Sequence, residues 1–268
     1  MRLVALGVRG STPAPGAEFV RYGGHTSCLA VYGDDDTTPR IVLDAGTGLR
    51  ALPSLLDGAP YFGDIALTHL HWDHVQGLPF CPSVDHPQAE VRLLVPVRGD
   101  DTDARALLAH AMSPPYFPIG PEGLQGAWNF EPLDGARDDL TVLPVPHKGG
   151  AAHALRLVVE HKTLVYLPDH ALHADTSRAA RERVISFVRG ADILVHDGQY
   201  LADEQRIAAA YGHATIETVL DFADDADIGE LVFMHHAPTR TDDELDRLSE
   251  LFQKTPGGRT ILFARQDA

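Results

Sequence analysis

The chain is short of cysteine, of long apolar runs and of positive charge, and each shortage excludes something. Two cysteines, Cys28 and Cys81, in 268 residues suggest no disulfide framework, so a reducing cytoplasm is the expected setting, and Cys81 reads as a buried inert thiol. No apolar stretch approaches the roughly 20 residues of a membrane span. The opening Met1-Arg2-Leu3-Val4-Ala5-Leu6-Gly7-Val8 is interrupted too soon for a signal peptide and reads as a first strand. Lys and Arg number 22 against 38 Asp and Glu, a formal net charge of −16. Nucleic-acid binding draws most of its affinity from cations that neutralise phosphates. A long nucleic acid is therefore disfavoured and a small substrate favoured. The acidic clusters Asp34-Asp35-Asp36, Asp100-Asp101 and Asp224-Asp225 read as solvated turns.

Hydrophobic residues make up 44% of the chain, enough for a sizeable core, and no linker divides residues 1–268 into separate domains. Strand-like runs occur at 3–8, 28–32, 41–43, 65–67 and 91–95. A second set follows at 140–145, 154–159, 164–167, 193–196, 231–234 and 261–263. Asp34 to Pro39 reads as a hairpin loop. Arg178–Val188 has helical spacing, as does the stretch carrying Ile216, Val219, Leu220 and Ala223. Thr241-Asp242-Asp243-Glu244 is a capping box opening a helix expected to bury Leu245, Leu248 and Leu251. The sequence predicts an α/β fold in two successive halves.

The densest chemistry lies in Thr68-His69-Leu70-His71-Trp72-Asp73-His74-Val75-Gln76-Gly77, directly after the apolar Ile65-Ala66-Leu67. His69 and His71 are two apart, so on an extended chain they point to one side. Asp73 and His74 follow where the chain turns into a helix and face a second point. Nitrogen and oxygen donors aimed at two adjacent points suit borderline divalent metals, Zn²⁺ first, with Mn²⁺ or Fe as alternatives.

The motif H-x-H-x-D-H-x-x-G resembles that of the metallo-β-lactamase superfamily, whose fold is an αβ/βα four-layer sandwich. The resemblance extends to later donors at the ends of strand-like runs: His147 after Leu140–Pro146, Asp169 after Leu164–Pro168, and His235 after Leu231–Met234. It implies one metal held by His69, His71 and His147, a second held by Asp73, His74 and His235, and Asp169 as the bridge. Two dications so placed share a hydroxide that is nucleophilic at neutral pH. His235 and His236 are adjacent, and on a strand only one faces a given side. The family spacing favours His235, leaving His236 as a substrate contact, a support for the ligands or a surface histidine.

Residues outside the ligand set bear on the reaction. His196-Asp197-Gly198-Gln199 and Gly212-His213-Ala214-Thr215 resemble the phosphodiesterase branch, which includes tRNase Z and the phosphoribosyl cyclic phosphodiesterases. That resemblance makes His213 the general acid and Asp197 its partner, with Asp73 completing the catalytic set. It implies hydrolysis of a small cyclic or nucleotide-like phosphodiester. Arg9-Gly10-Ser11-Thr12-Pro13 and Tyr22-Gly23-Gly24-His25-Thr26-Ser27-Cys28 resemble the opening of bacterial members of this branch, with Ser11 a substrate contact. The proline-rich 112–120 segment reads as a rigid loop. Tyr116 and Phe117 on it either stack on a flat substrate group or pack beneath the loop.

Some features depart from the pattern. The basic, glycine-rich insertion with which tRNase Z grips tRNA has no counterpart. Pro168 and His170 flank the bridging aspartate, and Ala214 stands where the branch often has serine. A lactonase or β-lactamase relative would explain the metal ligands but leave Asp197 and His213 without roles. A regulatory binder without turnover would not be expected to keep the full ligand set. A homodimer is the default expectation for such an enzyme.

Overall fold

Twelve strands among the described residues form two six-stranded sheets, ordered β1-β2-β3-β4-β5-β6 and β12-β11-β10-β9-β8-β7. The structure, a computed structural model, describes residues 1–97, 103–174, 177–253 and 258–267, so the Asp100-Asp101 cluster lies outside it. The chain divides into two compact units, each built from separated segments. One comprises Met1–Gly7, His25–Asp138 and Gln266–Ala268, the other Val8–Gly24 and Asp139–Arg265.

The first unit holds β1 (Arg2–Gly7), β2 (Cys28–Tyr32), β3 (Ile41–Leu43), β4 (Phe62–Ala66), β5 (Glu90–Val95) and β6 (Ala127–Pro132). β1, β2 and β3 pair antiparallel and β3 to β6 pair parallel. β2 and β3 are buried at every position, which is why they read as unbroken apolar runs rather than alternating ones. Leu6, Val42, Ile65, Leu67 and Leu93 form the core with Leu49, Leu52 and Leu78. Helices α1 (Leu52–Leu55), α2 (Trp72–Val75) and α3 (Ala104–Ala111) complete the unit.

The second unit repeats the wiring. β7 (Leu140–His147), β8 (Gly150–Val159) and β9 (Lys162–Leu167) pair antiparallel, and β9, β10 (Ile193–Asp197), β11 (Glu230–Met234) and β12 (Thr260–Phe263) pair parallel. Its helices are α4 (Arg178–Val188), α5 (Gln205–Tyr211), α6 (Ile216–Ala226) and α7 (Asp242–Phe252). α4 and α6 bury Val184, Val188, Val219 and Phe222 against Val165, Leu194 and Leu231 of the sheet. The capping box forms as expected: the Glu244 amide donates to Thr241 Oγ1, and Thr241 N donates to the Glu244 carboxylate at 2.7 Å. The expected burial of Leu251 needs correcting: it is 63% exposed, because it falls to one side of the stripe on which α7 turns Leu245, Leu248 and Phe252 inward.

The Asp224-Asp225 expectation needs correcting. These residues lie in the last turn of α6, not in a turn. Two acids there oppose the helix dipole, and they are met by Arg259 on Asp224 and Arg181 on Asp225. Parallel pairing brings the carboxyl ends of several strands to one end of each sheet, where α/β folds place ligands. The histidines and aspartates of interest follow those ends.

Candidate metal centre

In the first unit the donors leave β4 through a short loop into α2. Trp72 opens that helix, and Asp73 and His74 follow on it, both buried. The loop is tied down by backbone bonds, Ala45 N to the carbonyl of His74 and Gly77 N to that of Ala45, each 2.8 Å. The His69 ring lies 4.4 Å from that of His71 and 4.2 Å from that of His74, centroid to centroid. Asp44, fully buried and in the left-handed region at φ 58°, organises the group. Its carboxylate accepts from Thr68 N at 2.8 Å, from Thr68 Oγ1 at 2.9 Å and from His74 Nδ1 at 2.8 Å. With the Thr68 hydroxyl proton given to Asp44, His69 Nδ1 donates to Thr68 Oγ1 at 3.1 Å. One aspartate thus fixes two ring orientations, and that network assigns the tautomers. Both rings then present Nε2.

The second unit gathers its own donors. His147 ends β7, Asp169 follows β9, Asp197 ends β10 and His235 follows β11. The ligand atoms of His147, Asp169 and His213 lie within 4.8 Å of one another, as do those of Asp197, His213 and His235. His147 Nδ1 donates to the Gly212 carbonyl at 2.8 Å, so this ring too presents Nε2. Gly212 takes φ 82°, and a Cβ there would meet Lys148 N at 2.4 Å, so only glycine places that carbonyl. Burial lowers the His147 pKa, although Asp169 pulls it up.

The spacing of the donors fits a cation. Two ligands of one tetrahedral ion at about 2.1 Å from it sit roughly 3.4 Å apart. His235 Nε2 lies 3.4 Å from Asp169 Oδ1, and His74 Nε2 lies 3.4 Å from Asp73 Oδ2. Both are long for hydrogen bonds. Fixed tautomers and oxygen-anchored Nδ1 atoms are the arrangement of metal-ligating histidines.

Within this group His213 and Asp197 form a buried pair, with His213 Nδ1 also 3.5 Å from Asp169 Oδ1. His213 Nδ1 donates to Asp197 Oδ2 at 2.8 Å, and the same carboxylate accepts from Ala214 N at 3.2 Å and Gln199 N at 3.0 Å. Burial pushes the Asp197 carboxyl up, but the charge and hydrogen bond of His213 outweigh it and hold the carboxyl below its ordinary value. His213 stacks on His235 at 5.2 Å.

The adjacent histidines part company because His235 leaves β11 at φ 58°. His235 turns toward Asp169, whereas His236 is fully buried between Tyr22 and Phe263 and its Nε2 donates to the Ala264 carbonyl at 2.9 Å. Burial pushes the His236 pKa down to about 3. It is not a surface histidine. Ser11 Oγ accepts from Gln199 Nε2 at 3.2 Å. Tyr116 is exposed, and Phe117 packs edge-on against Phe80. Cys81 is buried among apolar side chains, its thiol pushed up to about 11 by burial.

The roles of three residues escaped the sequence reading, in which Arg9 and Gln199 appear only as parts of motifs. Asp44 had a signal, an acid closing the apolar Ile41-Val42-Leu43 just as Asp169 closes its own run. Gln199 had none. Arg9, fully buried, donates to the carbonyls of Gly23 at 2.7 Å and Arg240 at 2.7 Å and faces Asp242 at 3.5 Å. Burial lowers its pKa while Asp242 pulls it up. It clamps the 9–24 loop to the segment after His236.

A family profile described as a β-lactamase superfamily domain matches residues 39–236. Ribonuclease Z of Natronomonas pharaonis is 24% identical over 277 aligned residues, covering 88% of this chain and 86% of that protein. The metallo-β-lactamase fold protein YhfI from Bacillus subtilis superposes with a TM-score of 0.66 at 18% identity, over 99% of this chain and 97% of its own. A diphosphatase from the PhnP family gives 0.67 at 19% identity, over 99% and 94%. At these identities the structural likeness is one of fold.

Proposed function

Because the chain belongs to the β-lactamase superfamily of metal-dependent hydrolases, we propose that it is a phosphodiesterase acting on a small cyclic or nucleotide-like diester. The observation that carries this reading is the buried His213–Asp197 pair, with Nδ1 and Oδ2 2.8 Å apart. Holding metal does not require it, and expelling an alkoxide does. His69, His71, Asp73, His74, His147, Asp169 and His235 are the proposed ligands of two divalent ions, zinc by the chemistry of the donors. When bound, such ions polarise phosphoryl oxygens and supply a nucleophile at neutral pH.

The chain's own residues do the rest. Asp197 holds the Nδ1 proton of His213, fixes the ring and stabilises its cationic form, much as the aspartate of a hydrolytic triad does. The Nε2 proton of that cation passes to the departing oxygen, a contribution of about 10²–10⁴-fold for a poor leaving group. Gln199 N and Ala214 N hold the carboxylate in place. Ser11, with its hydroxyl on Gln199, is the proposed contact to the substrate from the 9–24 loop.

The ribonuclease Z likeness favours a second reading, an RNA phosphodiester as substrate. The net charge of −16 weighs against it. The test is hydrolysis of bis(p-nitrophenyl) phosphate and of adenosine 2′,3′-cyclic phosphate by protein of measured metal content. Simple lactones and a precursor tRNA run beside them. Diester cleavage that His213→Ala reduces, with metal retained, supports the proposal. Lactone cleavage alone, or cleavage of the tRNA alone, overturns it.

A further inference from the structure

Trp72 interrupts the run of donors, and its placement is opposite to theirs. It shares α2 with Asp73 and His74, which are buried, yet is itself 75% exposed. Phe80 and Tyr116 are likewise 58% and 87% exposed. These three, with Met112, Phe117 and the Gln76 amide, line one groove of the first unit, and no charged side chain contributes to it. Phe117 braces Phe80 edge-on, with centroids 5.9 Å apart. Lone exposed apolar residues are ordinary, but exposed aromatics converging on one groove mark a ligand surface.

We infer that this groove is the subsite for a planar aromatic ring carried by the substrate, a nucleobase or an aryl group. The inference rests on the phosphodiesterase reading for the rest of the substrate. An uncharged, largely aromatic lining suits a flat neutral ring and gives a phosphate no positive charge to bind. The volume is about 260 Å³, just under the roughly 300–1,000 Å³ of sites for drug-sized ligands, so it fits one ring system rather than an extended chain. Trp72 stands between His71 and Asp73 in the chain, so a ring lying on it is one residue along the backbone from donors of the first unit. Met112 adds a polarisable, adaptable floor.

The test needs no turnover. Trp72 and Trp128 are the two tryptophans, so a Trp128→Phe background leaves Trp72 as the sole indole reporter. The metal-loaded full chain is titrated with adenosine, phenyl phosphate and ribose 5-phosphate while Trp72 emission is followed. Saturable quenching by adenosine, by phenyl phosphate or by both, but not by ribose 5-phosphate, supports the subsite, and the relative affinities tell nucleobase from aryl group. Tyr116→Ala, at a side chain too exposed to hold the fold, is expected to weaken that binding about tenfold, the scale of one lost stacking partner. Absence of saturable quenching, or quenching unchanged in Tyr116→Ala, overturns it. Ring binding without diester cleavage would sink the phosphodiesterase reading and leave the groove standing. Cleavage without ring binding would do the reverse.

Discussion

His213 Nδ1 lies 2.8 Å from Asp197 Oδ2, inside a carboxylate environment that two backbone amides complete. The pair has a consequence that depends on the leaving group. p-Nitrophenolate leaves without help, whereas a ribose alkoxide needs a proton. His213→Ala is therefore expected to cost about 10²–10⁴-fold in kcat on the cyclic nucleotide and much less on bis(p-nitrophenyl) phosphate. Equal losses on both substrates would remove His213 from proton transfer. Asp197→Asn should show the same imbalance in weaker form, because the ring remains but its cation loses support.

Asp44 accepts from His74 Nδ1 and, through Thr68, steadies His69. Asp44→Asn is the informative change, since asparagine tolerates the left-handed backbone at this position but offers an amide where the ring needs an acceptor. A loss of about 10–100-fold in metal affinity is expected, read by competition with a chelator of known strength. An unchanged affinity would reduce Asp44 to a loop anchor.

The legibility of this chain tracks burial. β2, β3 and β9 were plain because their runs are apolar on both faces, and α4 and α7 because each has a helical repeat that buries one stripe, around Val184 and Leu245, although Leu251 falls outside it. β6 was not, since Ala127–Pro132 is a half-exposed edge strand whose Trp128 and Phe130 alternate with Asn129 and Glu131. The proposed donors could be named because residue type and spacing mark them locally, and the structure brings several of them together within each unit. The roles of Arg9 and Gln199 could not, because their partners lie more than 180 residues away, as with Gln199 and Ser11 or Arg9 and Arg240. His236 shows the other limit. Adjacent histidines look alike in sequence, and only the φ of 58° at His235 sends the two rings apart.

Gly10 illustrates how the opening loop shapes the centre. A Cβ at Gly10 would stand 2.3 Å from His235 Nδ1 and 2.8 Å from Gln199 Oε1, and His235 is buried. Gly10→Ala is expected to destabilise the fold by about 1–3 kcal/mol and to lower metal affinity by displacing His235. Thermal melts with and without added zinc check both. A variant that binds zinc as the parent does would show that His235 is not held by this contact.

Asp64 gives a prediction that is independent of metal. Arg92 Nη2 and Nε donate to its carboxylate at 2.6 and 2.9 Å, and Arg137 Nη1 donates to Oδ2. Burial pushes the carboxyl up, but the two arginines outweigh it and hold it below its ordinary value. A carboxylate with a depressed folded value stabilises the fold fully above its unfolded pKa, about 3.9, and loses that contribution as pH falls below it. Asp64→Asn should therefore lower stability at pH 7 by about 1–3 kcal/mol, the scale of hydrogen bonds to a charged group. The gap between the two proteins should narrow as pH falls below about 4, the unfolded value, and close only below the lowered folded value. Urea unfolding at several pH values measures it. A gap that stayed constant over that range would mean that shape and neutral hydrogen bonding, not charge, hold β4 to β5 at this point.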